Sequence, residues 1–286
     1  MGFLRLLESI RIPALNVFFS GITYCGDEIA FMVAAFALFW CVNKRTGYYA
    51  FLVGLFGTVG NQWLKIACRI PRPWVLDPNF TIVESARAAA TGYSFPSGHT
   101  QNAVGTFGAM ALRTERKWVR GVCIALIVLV PFSRMYLGVH TPLDVGVSFG
   151  IGLVLVFALY PLFRDIDSHP KRLYLLFAGM AVLSAAYLLF AELWPFPADV
   201  DAANLASGRK NAYTLLGAVL GMTFAYWLDR RYVHFDVRAV WWAQVLKAVL
   251  GLAITIGLRA ALKAPLLALC GGHNVANLIR YALMVI

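Results

Sequence analysis

At 286 residues, with 60% hydrophobic and 14% charged residues and a mean hydropathy of +0.70, the chain is too apolar for a soluble domain, where about a quarter of residues are charged. Its net charge of +11 does not mark a nucleic-acid partner. The basic residues form no tail and no aromatic-basic surface motif, so they read as topology signals and site residues. The composition predicts an all-α, polytopic transmembrane bundle.

In chain order, residues 1–27 come first. Leu4 to Thr23 mixes Leu, Ile and Phe with Arg5, Glu8, Arg11 and Pro13, which predicts an amphipathic helix lying at the membrane interface. The same polar residues interrupt any signal-peptide apolar region. Spans are expected near residues 28–43, 47–67, 99–112, 118–134, 143–163, 173–194, 211–228 and 240–262. The third is short and polar at its start. Residues 265–286 contain Gly271, Gly272, His273 and Asn274 and read as a short span, a re-entrant piece or an interfacial helix.

Lysine and arginine collect on alternate connections: Lys44-Arg45, then Arg113, Arg116, Lys117 and Arg120, then Arg164, Lys171 and Arg172, then Arg230, Arg231 and Arg238. These connections should be cytoplasmic. The opposite face then receives Lys65, Arg72, His99, Arg134, His140 and Asp144. It also carries the long stretch from Arg69 to Pro96, whose Pro71, Pro73, Pro78 and Gly92 predict a structured loop. A short helix over the site is expected near Ala86 to Ala90. The five cysteines lie mostly in apolar stretches without paired spacing, so free thiols are expected, with a bridge near the outer face as the alternative.

Three fragments carry chemistry. Lys65 and Arg72 bring two cations to one point, a point charge and a planar fork suited to phosphoryl oxygens. Pro96-Ser97-Gly98-His99 opens a helix: Ser97 can cap it, Gly98 admits an anion close to the backbone, and His99 can protonate a leaving oxygen. Ser133-Arg134 is followed by His140 and Asp144. Four residues apart, the last two share a helix face, where the carboxylate can orient the imidazole for attack on phosphorus. Charges of this kind are rare in membrane helices outside functional sites.

Together the fragments resemble the signature of the type 2 phosphatidic acid phosphatase superfamily, K-x6-R-P, P-S-G-H and S-R-x5-H-x3-D, complete and in order. The resemblance implies His140 as nucleophile, Asp144 as its partner and His99 as general acid. It implies a phosphate cradle of Lys65, Arg72, Ser97, Gly98 and Arg134. Because fixed cations supply the charge, no metal and no cofactor are expected. The surrounding spans fit that family's helical core, a phosphatase core at 28–167 with five spans and the outer loop. The apolar runs beyond it, on which the signature is silent, predict a C-terminal transmembrane extension at 168–286 of about three spans.

The expected partners are a lipid phosphate substrate and membrane lipids. An outward site and short loops favour undecaprenyl diphosphate. Phosphatidic acid, phosphatidylglycerol phosphate and sphingoid-base phosphates are the alternatives. A vanadium haloperoxidase-like enzyme is a remote reading, because those relatives are mainly soluble. A lipid transporter is another, but it predicts polar residues spread through the membrane depth, and here they gather at one face. Lys247 and Arg259 stand within the last clear span and are expected to snorkel to opposite ends, or else to line a cavity.

Overall fold

Helices are the only regular structure among the described residues; a computed structural model describes every residue except Asp167. They run α1 Gly2–Ser9, α2 Pro13–Thr23, α3 Glu28–Ala37, α4 Lys44–Cys68, α5 Pro73–Leu76, α6 Gly98–Arg113, α7 Lys117–Tyr136, α8 Pro142–Arg164, α9 Pro170–Leu193, α10 Ala202–Leu228, α11 Trp241–Ala261, α12 Lys263–Leu269 and α13 Val275–Val285. The chain divides into two compact units, Met1–Ala35 with Tyr49–Pro161, and Phe36–Tyr48 with Leu162–Ile286. The boundaries fall inside α3, α4 and α8.

A helix stands at each of the eight expected spans, yet not all are equally apolar. Among the described residues, α7, α8, α9 and the continuous Trp241–Leu269 are long and apolar enough to cross a bilayer. Pro13–Gly26 and Glu28–Val42, bent by 53°, would form a fifth as one broken span. The molecule is a multi-pass membrane protein. α6 has only 16 residues, and α4 and α10 are more polar. For α4 the reason is burial against protein: Tyr49, Ala50, Leu52, Val53, Val59, Asn61 and Lys65 are all enclosed. A helix sheltered from lipid can carry polar side chains that a lipid-facing one cannot.

In the first unit the expected single interfacial helix is two helices. The chain breaks after Ser9, and Pro13 takes the first turn of α2, where its missing N–H costs nothing. α2 lies on α7, with the Phe19 ring 5.4 Å from Phe132 and 4.4 Å from Tyr136. Arg11 ties this segment to the site's supports, its Nε donating to Tyr136 O and Nη1 to Thr81 O. Interior contacts between α4, α6 and α8 depend on small residues. A Cβ on Gly57 would collide with the Gln101 side chain, and one on Gly152 would meet Val104 Cγ1 at 2.7 Å. The expected cover near Ala86 is a single 3₁₀ turn, Glu84–Ala86, with Ala86 packed beside Tyr136, Leu137 and Val139.

In the second unit α10 packs against α9 and α13. α13 is 11 residues long, about 16 Å, well short of a 30 Å hydrocarbon core. It lies on α10 along Gly217 and Gly221, whose four-residue spacing lets the backbones meet; Cβ atoms there would stand 2.9 Å from Leu278 Cα and Ala282 Cα. Gly271 and Gly272, both at positive φ, form the turn leading to it. Lys247 Nζ reaches back to Val237 O, and Arg259 lies over the Tyr281 ring. All five cysteines are free, so no bridge forms.

Candidate active site

The site belongs to the first unit and is assembled at helix ends. Lys65 comes from the last turn of α4, Arg72 from the loop beyond it, and Ser97, Gly98 and His99 from the start of α6. Arg134 ends α7, His140 lies in the turn after it, and Asp144 opens α8. Burial is nearly complete: Arg134 is 0% exposed, Asp144 1%, His140 2%, Arg72 6% and Lys65 7%. Ions so enclosed must be paired or hydrogen-bonded.

Arg72 is spread across the loop and the turn. Its Nε donates to Gly92 O (3.1 Å), Nη2 to Thr91 O (2.7 Å) and Nη1 to Val139 O (3.0 Å). The same Nη1 is 2.9 Å from His140 Nε2. Lys65 Nζ donates to Tyr93 O at 2.6 Å. The two cations are therefore gripped by consecutive carbonyls of residues 91–93, which sets the inner rim of the loop. Arg134 differs: Nη1 donates to Thr23 Oγ1 (2.7 Å), while Nε and Nη2 are buried without a protein partner.

His140 Nδ1 lies 3.3 Å from Asp144 Oδ2, and that oxygen also accepts from Thr141 N (2.8 Å) and Ser94 Oγ. With Nδ1–H facing the carboxylate, Nε2 keeps its lone pair toward Arg72. Burial first, then the fields of Arg72, Arg134 and Lys65, hold the His140 pKa well below its ordinary value. Burial also pushes Arg72 down to about 10, opposed by Asp144. Ser97 caps α6, accepting from Thr100 N and Thr100 Oγ1, while its own N–H donates to Asp144 O. The space beside Gly98 is open, since a Cβ there would meet only Asn61 Oδ1 at 3.8 Å.

Every site residue expected from the sequence is drawn to this one region. Reading the sequence missed the partners that hold them. Thr23 serves Arg134, and Ser94 and Thr141 serve Asp144. Asp27 Oδ1 stands 2.6 Å from His99 Nε2. Asp27 and Thr23 lie in the segment assigned to the interface, and their spacing from the motifs carried no signal. A neutral, oriented histidine among three buried cations can attack a tetrahedral anion and leave it neutralised.

The fold and site define a membrane-embedded phosphoryl-transfer protein. The PAP2 superfamily family model matches residues 45–168, and that of the PAP2 superfamily phosphatase, transmembrane extension, matches residues 213–286. The chain belongs to the PAP2 superfamily, and is a phosphoric ester hydrolase. It is 28% identical over 179 residues to phosphatidylglycerophosphatase B of Bacillus subtilis, covering 57% of this chain and 80% of that one. It is 27% identical to a probable sphingosine-1-phosphate phosphatase of Dictyostelium discoideum, covering 79% of this chain and 57% of the relative. An undecaprenyl-diphosphatase of Bacillus subtilis is 30% identical over 118 residues, 41% of this chain and 58% of its own length. No solved structure matches the chain.

Proposed function

We propose that the chain is a lipid phosphatase that hydrolyses a phosphomonoester or diphosphate through a phosphohistidine on His140, with undecaprenyl diphosphate as its substrate. The observation that carries this reading is the orientation of His140: Nδ1 toward Asp144, and Nε2 toward a guanidinium fixed on three carbonyl oxygens. The phosphoryl group settles among Lys65, Arg72 and Arg134, over the start of α6. Nε2 attacks, the N–P bond forms and the P–O bond breaks, and His99 gives its proton to the departing oxygen. A water then attacks phosphorus, loses a proton to His99, and the N–P electron pair returns to His140.

Three fixed cations supply the charge that phosphoryl transfer requires, so a divalent ion is not needed. The lysine and arginine connections support an extracytoplasmic site. The undecaprenyl reading is supported by the resemblance to one such diphosphatase and by that orientation. A second reading, a phosphomonoester carried by a glycerol or sphingoid lipid, is favoured by the longer matches to relatives named for those substrates.

The deciding experiment is phosphate release in detergent from undecaprenyl diphosphate, phosphatidylglycerol phosphate, phosphatidic acid and a sphingoid-base phosphate, with EDTA throughout. The best kcat/KM should fall on the diphosphate and be lost in His140→Ala. Retained release by that variant would refute the mechanism, and a monoester preference would replace the substrate.

A further inference from the structure

His99 has to carry a proton before the first step and regain one in the second, in a region crowded with positive charge. The cations acting on it are Arg134 and Arg72, and His140 lies within its field. An imidazolium there needs a carboxylate. Asp144 is engaged with His140, Thr141 and Ser94. Asp27, from the turn between α2 and α3, comes within 2.6 Å of His99 Nε2.

That approach is built into the fold. Gly26, the residue before Asp27, is pressed against the first turn of α6: a Cβ on it would stand 2.9 Å from His99 O and 2.7 Å from Val130 Cγ1. Asn102 Nδ2 donates to Gly26 O at 3.2 Å, pinning the same turn from one helical turn further along α6. Four residues earlier Thr23 holds Arg134. The Asp27 carboxylate sits off the axis of the ring N–H, so in the resting site the pair is a charge contact and not an aligned hydrogen bond. Such bonds commonly align only once substrate is bound. Asp27 is also about 30% exposed, and His99 14%, against 2% or less for the His140–Asp144 pair. The more open pair is the one that must exchange protons with a leaving group and with water.

We propose that Asp27 is the positioning partner of His99, so that the site works as two histidine–carboxylate pairs, His140–Asp144 for attack and His99–Asp27 for proton transfer. This rests on the function proposed above. Asp27 orients the ring and balances the imidazolium; it touches neither phosphorus nor the leaving oxygen. It lies outside the segment matched by the family model. The simpler role for an aspartate at this point is to cap α3, and the two roles separate by leaving group. A cap affects every substrate alike, whereas a proton donor matters only where the leaving oxygen needs a proton.

The test compares decyl phosphate with its analogue bearing sulfur at the bridging position, whose thiolate leaves unprotonated, in detergent micelles. Wild type, Asp27→Asn, Asp27→Glu and His140→Ala are assayed, with thermal unfolding alongside. Asp27→Asn should lower kcat/KM for the oxygen ester about 10- to 100-fold and leave the sulfur analogue within about threefold, with Asp27→Glu recovering part of the loss. Equal losses on both substrates, or no loss on either, would overturn the proposal. Any loss of folded enzyme affects both substrates equally, so their ratio still decides. An active His140→Ala would instead refute the underlying phosphohistidine reading.

Discussion

Arg72 Nη1 lies 2.9 Å from His140 Nε2, so a guanidinium held by Gly92, Thr91 and Val139 carbonyls faces the nitrogen proposed to attack phosphorus. A phosphoryl oxygen bound to that guanidinium is thereby carried to the nucleophile. Lysine keeps the charge but loses the planar fork that makes these contacts at once. Arg72→Lys should therefore lower kcat about 100-fold or more, the cost of removing one preorganised donor, measured as steady-state phosphate release.

The second prediction follows from the electrostatics of His140. Burial and the fields of Arg72, Arg134 and Lys65 lower its pKa, so the neutral imidazole persists into acid where a free histidine is already charged. Nitrogen-15 NMR of labelled histidines, assigned with His140→Asn, should show no titration of His140 near its ordinary value of about 6.5. Arg72→Gln removes one opposing cation and should move the titration upward. The unfolded chain binds this proton at the ordinary value while the folded chain does not. Stability therefore falls as pH drops below about 6.5, and His140→Asn should flatten that slope.

How much of this was legible depends on what kind of contact was being read. The helices at the eight expected spans follow from apolar runs and charge punctuation, though α4, α6 and α10 fall short of a membrane span in length or apolarity. The three motif fragments follow from residue types that lipid excludes unless they work. The partners of those residues were not legible. Thr23, Asp27 and Ser94 are ordinary polar residues in loops or helix ends, and what makes them partners is a tertiary approach over 111, 72 and 50 residues. No periodicity encodes that.

The N-terminal segment shows the same limit from the other side. Its amphipathic pattern is real, with Leu4 and Leu7 buried and Leu6 exposed. A pattern cannot say whether the apolar face meets lipid or protein. Here Phe19 meets Phe132 and Tyr136, and Arg11 caps the carbonyl of Tyr136. Likewise, the polarity of α4 lowered its apparent fitness as a span because its surroundings are protein.

Thr23 gives a third prediction. Its hydroxyl accepts from Nη1 of a fully buried Arg134 whose Nε and Nη2 have no protein partner. Thr23→Val keeps the shape and removes the acceptor. An unmet bond to a buried charge costs about 1.5–3 kcal/mol. The guanidinium should then turn to find another partner, lowering kcat/KM about tenfold or more. Thr23→Ser, which restores the hydroxyl, should recover most of the rate.

The last prediction concerns the second unit and separates close packing from helix propensity. Gly217 and Gly221 allow α10 and α13 to touch backbone to backbone, and a Cβ at Gly221 would fall 2.9 Å from Ala282 Cα and nearer still to Ala282 O. Backbone cannot give way as a flexible side chain can. Gly221→Leu should force α13 away from α10 and destabilise the protein by about 1–3 kcal/mol. Gly257→Leu in α11 is the matched control, since nothing lies within 4 Å of a Cβ there. On propensity alone both substitutions would help their helices. Thermal unfolding in detergent should show a lower midpoint for Gly221→Leu only, because at that position the clash exceeds what the better helix former contributes.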